Sequence, residues 1–218
     1  VQYQPNRALY ITIVLLVACI LQGCNGCNSS KTTDTQQVPG DSDQETPLTP
    51  ADKDSLAFWT ERKLIQWKSW IDSSTAGQVA TDNLQRTTTD TLALADSLYM
   101  EEERFEQFKQ FFVYSPDSSQ VVDMVSYGNF LHQGRNGKVV LEAGEPDTEV
   151  SIVNVQTKKR ERILFCGPST VVKQAVWIDD HTILIAGGTY DEQDRLLPAI
   201  WKYDTQNKLL ENWEPSAP

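Results

Sequence analysis

Histidine is nearly missing from this chain, with only His132 and His181 among 218 residues. Neither stands in a spacing such as H-x-x-x-H that presents two ligands on one helix face, so no metal site is expected. His181 follows Asp179-Asp180, but three neighbours in a tight turn aim in different directions. Positive charge is also scarce: 19 Lys and Arg face 30 Asp and Glu, for a formal net charge of -11. A chain this acidic, without a basic patch interleaved with aromatics, is repelled by phosphate backbones, which sets nucleic acid aside. No G-x-S-x-G element, Cys/His nucleophile arrangement or dinucleotide fingerprint is present, and no cofactor is expected. Gly187-Gly188 is not followed by a helix and reads as a strand bulge or close backbone approach, not a phosphate cradle. No apolar run reaches the 20 or so residues of a membrane span; the longest, residues 8–21, falls short.

That short run is nevertheless the most specific feature present. Arg7 precedes it, and it closes on Leu21-Gln22-Gly23-Cys24. The pattern of one positive charge, an apolar stretch and a small residue before a cut is that of a secretory leader. The closing tetrapeptide resembles the lipobox of bacterial lipoproteins, although Gln22 departs from the small residue usual there. The resemblance implies a signal peptide over residues 1–23 and a diacylglyceryl group on the Cys24 thiol. It also implies a lipid-anchored protein of the bacterial cell envelope, in the outer membrane and facing the periplasm. An ordinary transmembrane anchor is the alternative. Residues 24–50 are rich in Ser, Thr, Gln, Asp and Pro and predict a disordered, solvated tether. Cys27 and Cys166 either pair in an oxidising envelope or stay free.

Two amphipathic helices are expected over residues 51–110. Leu56, Leu64, Trp67 and Ile71 share one face of a helix from 51 to about 73, widened by Trp59 and Trp70. Leu98, Phe105, Phe108 and Phe112, preceded by Leu94, predict a second from Thr89 or Asp90 to about Gln110. Glu101-Glu102-Glu103 within it point in three directions and read as a solvated face.

Residues 111–214 contain an internal duplication. Phe112-Val113-Tyr114-Ser115-Pro116-Asp117, followed by Val121-Val122, aligns with Ala175-Val176-Trp177-Ile178-Asp179-Asp180, followed by Leu184-Ile185. Ser151 to Thr157 aligns with Ala199 to Thr205. The offset falls from 63 to 48, so the first copy carries an insertion between Gly128 and Gly144, and Gln133-Gly134-Arg135-Asn136-Gly137 inside it signals a hairpin. Each copy reads as four short antiparallel strands. The units resemble blades of a β-propeller, with Tyr114-Ser115-Pro116-Asp117 like a strand-ending turn; Ser118 stands where such turns commonly have Gly. Two blades do not close a ring, so the helices or a second copy must cover what is left open. The expected fold is α+β: signal, tether, two helices, then two blade-like four-stranded units.

These features predict a non-enzymatic binding protein, attached to the membrane through Cys24, whose partner is another envelope protein or a cell-wall component. The contact residues are expected to be Tyr190, Trp201 and Tyr203, with Asp191 and Arg195, because aromatic and Arg anchors dominate interface energetics. An alternative is a small-ligand or carbohydrate-binding protein with a pocket lined by two or more aromatics near residues 191–197. A third is a hydrolase with a carboxylate pair about 5 to 10 Å apart. The basic cluster Lys158-Lys159-Arg160, with Arg162, reads as a solvated turn.

Overall fold

The computed structural model describes residues 55–81, 83–92 and 98–215, all within the unit Pro47–Pro218. Cys24, Cys27, the signal and the tether lie outside the described residues, as does Leu94. Among the described residues no helix is long and apolar enough to cross a membrane.

The fold is α+β, with every strand pair antiparallel. Helix α1 (Leu56–Lys63) and α2 (Ile65–Thr75) replace the single helix expected from 51 to 73. Ser55 caps α1 by accepting from the Phe58 N–H at 3.3 Å. The break falls at Leu64, whose φ of -100° and ψ of 36° leave the helical region while its side chain is fully buried. A break strands backbone groups on both sides. Gln174 satisfies both, donating from Nε2 to the Lys63 carbonyl at 2.9 Å and accepting at Oε1 from the Trp67 N–H at 2.9 Å. Helix α2 ends where Ala76 and Gly77 turn left-handed, with φ of 51° and 71°.

The second expected helix is corrected for most of its length. Leu84–Thr91 is strand β1 and Leu98–Tyr99 is β2; only Glu102–Phe108 (α3) is α-helical, followed by a 3₁₀ turn at Lys109–Phe111. The β-branched run Thr87-Thr88-Thr89, with Thr91, favours an extended backbone. Residues 51–110 are therefore not a helical segment, because β1 and β2 belong to the sheets.

The remaining strands are β3 (Val113–Tyr114), β4 (Gln120–Asp123), β5 (Asn129–Gln133), β6 (Val139–Ala143), β7 (Thr148–Asn154), β8 (Lys159–Cys166), β9 (Thr170–Trp177), β10 (Thr182–Tyr190), β11 (Leu196–Asp204) and β12 (Leu209–Pro215). One sheet runs β2-β8-β7-β4-β3 and the other β1-β12-β11-β10-β9. We call them units I and II. In each, four strands in chain order form a meander, broken in unit I by the β5–β6 insertion, and an earlier strand is added outside. Strands β5 and β6 form a separate hairpin inserted in unit I, closed at its base by the Gly144 N–H on the Gly128 carbonyl at 2.8 Å.

The ladders give the true correspondence of the copies. Val113 pairs with Val122 and Val176 with Leu184; Val121 pairs with Val153 and Ile183 with Tyr203; Val153 pairs with Arg160 and Tyr203 with Leu210. Val121 thus corresponds to Ile183, one residue from the sequence alignment, because the turn after β3 is one residue longer than that after β9. Val153 corresponds to Tyr203, two residues from it. The added strands match as well: the Met100 N–H bonds the Lys158 carbonyl and the Leu92 N–H the Lys208 carbonyl, at the same point of each unit.

The units stack head to tail. A core between the sheets joins Val122, Val150 and Ile152 of unit I to Ile183, Ile185, Trp201 and Tyr203 of unit II. Val121 and Val153, the counterparts of Ile183 and Tyr203, face the other way, onto Phe105, Phe108 and Phe112 of the α3 region. Leu184 and Ile200, the counterparts of Val122 and Val150, face Trp59, Leu64, Trp67 and Ile71. Corresponding residues therefore point in one common direction along the stack, which is a heterologous contact and not a two-fold one. Helices cover both open ends. Trp67 is fully buried and its Nε1 donates to the Gly187 carbonyl at 2.6 Å. A Cβ on Gly187 would collide with the Val171 carbonyl at a bulge in the β9–β10 pairing, the close backbone approach expected there.

Candidate functional site

The β10–β11 turn carries three of the expected contact residues. Tyr190 ends β10 and is 40% exposed. Asp191 accepts at Oδ1 from the backbone N–H groups of Gln193 and Arg195, each at 2.9 Å, and at Oδ2 from Arg195 Nε at 2.8 Å. The Arg195 backbone N–H beside Asp191, then its side chain and the Gln193 N–H, hold the Asp191 carboxyl below the usual carboxylate range. The guanidinium is thereby aimed while staying exposed to solvent.

This turn faces the end of α2 across a cleft of about 700 Å³. Tyr190, Arg195 and Leu197 line one side; Ser74, Gln78 and Val79 line the other. The α2 end presents carbonyls and hydroxyls, the negative pole of a helix dipole. Leu197 and Val79 add apolar surface, so the cleft suits a ligand with both hydrogen-bond donors and apolar faces. Tyr190 is its one lining aromatic, where a carbohydrate pocket was expected to show two or more. The α2 end was not anticipated, since helical spacing says nothing about where a C-terminus docks.

Trp201 and Tyr203 are corrected. Both are buried in the core between the sheets, Trp201 at 8% exposure and Tyr203 at 0%. Their alternation with Lys202 matched an exposed edge as well as a core, and the stack decides for the core. The Tyr203 hydroxyl donates to Glu161 Oε1 at 3.0 Å, and Lys208 binds Glu161 Oε2 at 2.7 Å, so this trio clamps unit II to unit I. Burial, with the Glu161 carboxylate beside it, pushes the Tyr203 phenol far above its ordinary range and keeps it a donor.

Comparison of the chain with family models, curated proteins and solved structures finds no match.

A second group of polar residues lies on the outward face of unit I. Glu149 and Asp123 are buried at 2% and 0% side-chain exposure. Arg162 binds Glu149 through Nε at 2.7 Å and Nη2 at 2.6 Å, and Ser151 donates to Glu149 at 2.6 Å. Arg160 Nη2 lies 2.8 Å from Glu149 and 3.6 Å from Asp123 without an aligned hydrogen bond, so it acts as a charge between them. Asp123 accepts from the Val125 and Ser126 N–H groups and from the Ser126 hydroxyl; Arg104 reaches the Ser126 carbonyl. Two carboxylates share a site here, but two guanidiniums balance them and neither lines the cleft. The arrangement holds structure together and offers no free acid or base to a substrate.

The basic cluster is spoken for in the same way. Lys158 lies 4.2 Å from the Phe105 ring centroid and 3.3 Å from Glu102, while Arg160 and Arg162 enter the network. It is not the solvated turn expected, because only Lys159 of the four is without such a contact among those described. Glu102 and Glu103 turn to different partners, Lys158 and Gln107. His132 pairs with Glu142 at 3.3 Å across the β5–β6 hairpin, and His181 lies in the β9–β10 turn. Among the described residues no group of three or more His, Cys, Asp or Glu could hold a metal ion. Among the described residues Cys166 has no disulfide partner, and burial pushes its thiol pKa up.

Proposed function

We propose that this chain is a non-enzymatic binding protein of the bacterial cell envelope, held at the membrane by lipid on Cys24. Its tether carries a capped stack of two blade-like units in the manner of a short, open propeller. The cleft between Tyr190, Arg195 and the end of α2 takes an extended segment of another envelope protein. The observation that carries this reading is the cleft itself: an exposed aromatic and an oriented Arg, the residue types that anchor interfaces, stand over a helix end rich in acceptors. Helices already occupy both outer sheet faces, so contact by stacking a further copy is disfavoured and the loop end is the more accessible surface. A cell-wall glycan is the second reading, favoured by the hydroxyl-rich side of the cleft and its size within the range of small-molecule sites.

Crosslinking on intact cells, with affinity capture of the tagged chain, tests the proposal. The expected result is a stoichiometric partner that is lost in Tyr190→Ala/Arg195→Ala and absent when Cys24→Ala releases the chain from the membrane. Persistence of Cys24→Ala in the membrane fraction overturns the anchor. A partner captured equally by the cleft variant overturns the site.

A further inference from the structure

The inserted hairpin β5–β6 is the one strand pair outside both five-stranded sheets among the described residues. A lone two-stranded hairpin is marginal in water unless something covers it. Here Leu131 packs on the α3 cluster, but Phe130 is 67% exposed, and Val139, Val140 and Leu141 are between 37% and 43% exposed. Cross-strand pairing puts Phe130 and Glu142 opposite each other, and His132 opposite Val140, so Phe130 and Val140 are diagonal neighbours on one face. The tip between the strands carries Arg135 and Lys138, and residues 129–141 contain no Asp or Glu. In a chain of net charge -11, an apolar projection ends in cations, while Glu142 and Glu145 sit toward its base.

We propose that this hairpin docks onto an anionic lipid bilayer, with Arg135 and Lys138 at the headgroups and Val139 and Val140 at the acyl boundary. Charge decides the occupant: an acidic body is repelled by an anionic surface, so approach is favoured only tip first, and apolar side chains beside the cations add burial once contact is made. The hairpin is separate from the cleft and its docking does not require an acyl group on Cys24.

Hydrogen exchange of the full chain tests this on vesicles of equal parts phosphatidylglycerol and phosphatidylcholine against phosphatidylcholine alone. The apolar leader associates with both, so the readout is local to residues 129–141, and the strands of unit II serve as an internal check of folding. Slower exchange of the hairpin is expected on the anionic vesicles only, and it is lost at high salt because counterions screen the contact. Arg135→Gln/Lys138→Gln should weaken the contact roughly thirtyfold, at about fivefold per cation. Phe130→Ser and the charge variant both leave the unit II amides unchanged. Equal exchange on the two vesicles overturns the proposal. Protection that rises with protein concentration without vesicles also overturns it, since a second copy would then cover the hairpin.

Discussion

Units I and II share strand order and register yet differ on one face, and the difference explains why the stack stops at two. The face of unit II that receives unit I carries Ile183, Ile185, Ala199, Trp201, Tyr203 and Leu210. Their counterparts in unit I are Val121, Asp123, Glu149, Ser151, Val153 and Arg160. Where another unit packs, the positions are apolar; where none does, four of the six carry charge or hydroxyl and interact with one another, and the α3 region covers the two valines. Terminal repeats of stacked architectures need an outer face that does not invite a further repeat. The opposite end is closed by apolar means, with Trp67 and its neighbours filling the face of unit II. One end is therefore blocked by chemistry and a short helix, the other by a helix pair alone.

The largest effect should come from the helix pair. Trp67→Ala removes a fully buried indole and its bond to Gly187, and should cost about 4 kcal/mol in urea unfolding. Glu149→Ala strands Arg160 and Arg162, so a loss of about 3 kcal/mol is expected. Giving unit I the residues of unit II, as Asp123→Ile/Glu149→Ala/Arg160→Leu, should recover most of that loss, because apolar replacement of a whole buried network is often neutral. If the triple variant is less stable than Glu149→Ala alone, the two faces are not interchangeable and the comparison fails.

Gln174→Ala leaves the Lys63 carbonyl and the Trp67 N–H without their partner at the helix break, for about 1 to 2 kcal/mol by the same assay. Ser118 sits at φ of 58° in the longer turn of unit I, a conformation that costs a non-glycine residue free energy. Ser118→Gly should raise stability by a few tenths to about 1 kcal/mol, read from the denaturation midpoint. The smallest effect concerns Asp117 in the same turn, whose carboxyl accepts from the Ser115 hydroxyl at 2.6 Å and the Ser119 N–H at 3.0 Å. These bonds, the Ser115 hydroxyl foremost, lower its pKa from 3.8 to about 2. The folded value is depressed, so the contribution to stability is present above the unfolded pKa and is lost as pH falls from about 4 through 2. Titration of the Asp117 carboxyl by NMR checks it; a midpoint near 3.8 in the folded chain would sink the turn geometry.

The limits of reading the fold from the chain are visible in particular residues. The antiparallel units and the inserted hairpin were legible, because turn formers such as Gly134 and Gly137 punctuate β-branched runs. The alignment slipped by one residue at β4 and by two at β7. A slip of one exchanges the faces of a strand, but Val121-Val122 and Ile183-Leu184 are apolar on both faces, so nothing in the composition registers the error. A slip of two preserves the faces, and the alternation still looks right. A helix start is expected at Thr89 or Asp90 from the apolar spacing that follows, and only pairing with β12 shows that these residues continue a strand. Tyr190, Asp191 and Arg195 are near neighbours in sequence and share one turn, whereas Trp201 and Tyr203 could not be told from core by sequence.

By itself the sequence determined the acidic balance and the alternation of strands and turns in the β region, because these depend on residue type and near neighbours. Tertiary structure alone decided which face of each repeat is covered, that the helix breaks at Leu64 to meet Gln174, and that the α2 end forms one wall of the cleft. Those outcomes depend on contacts between residues distant in the chain, 111 positions apart for Gln174 and Lys63, and no local pattern encodes which of two apolar faces will find a partner.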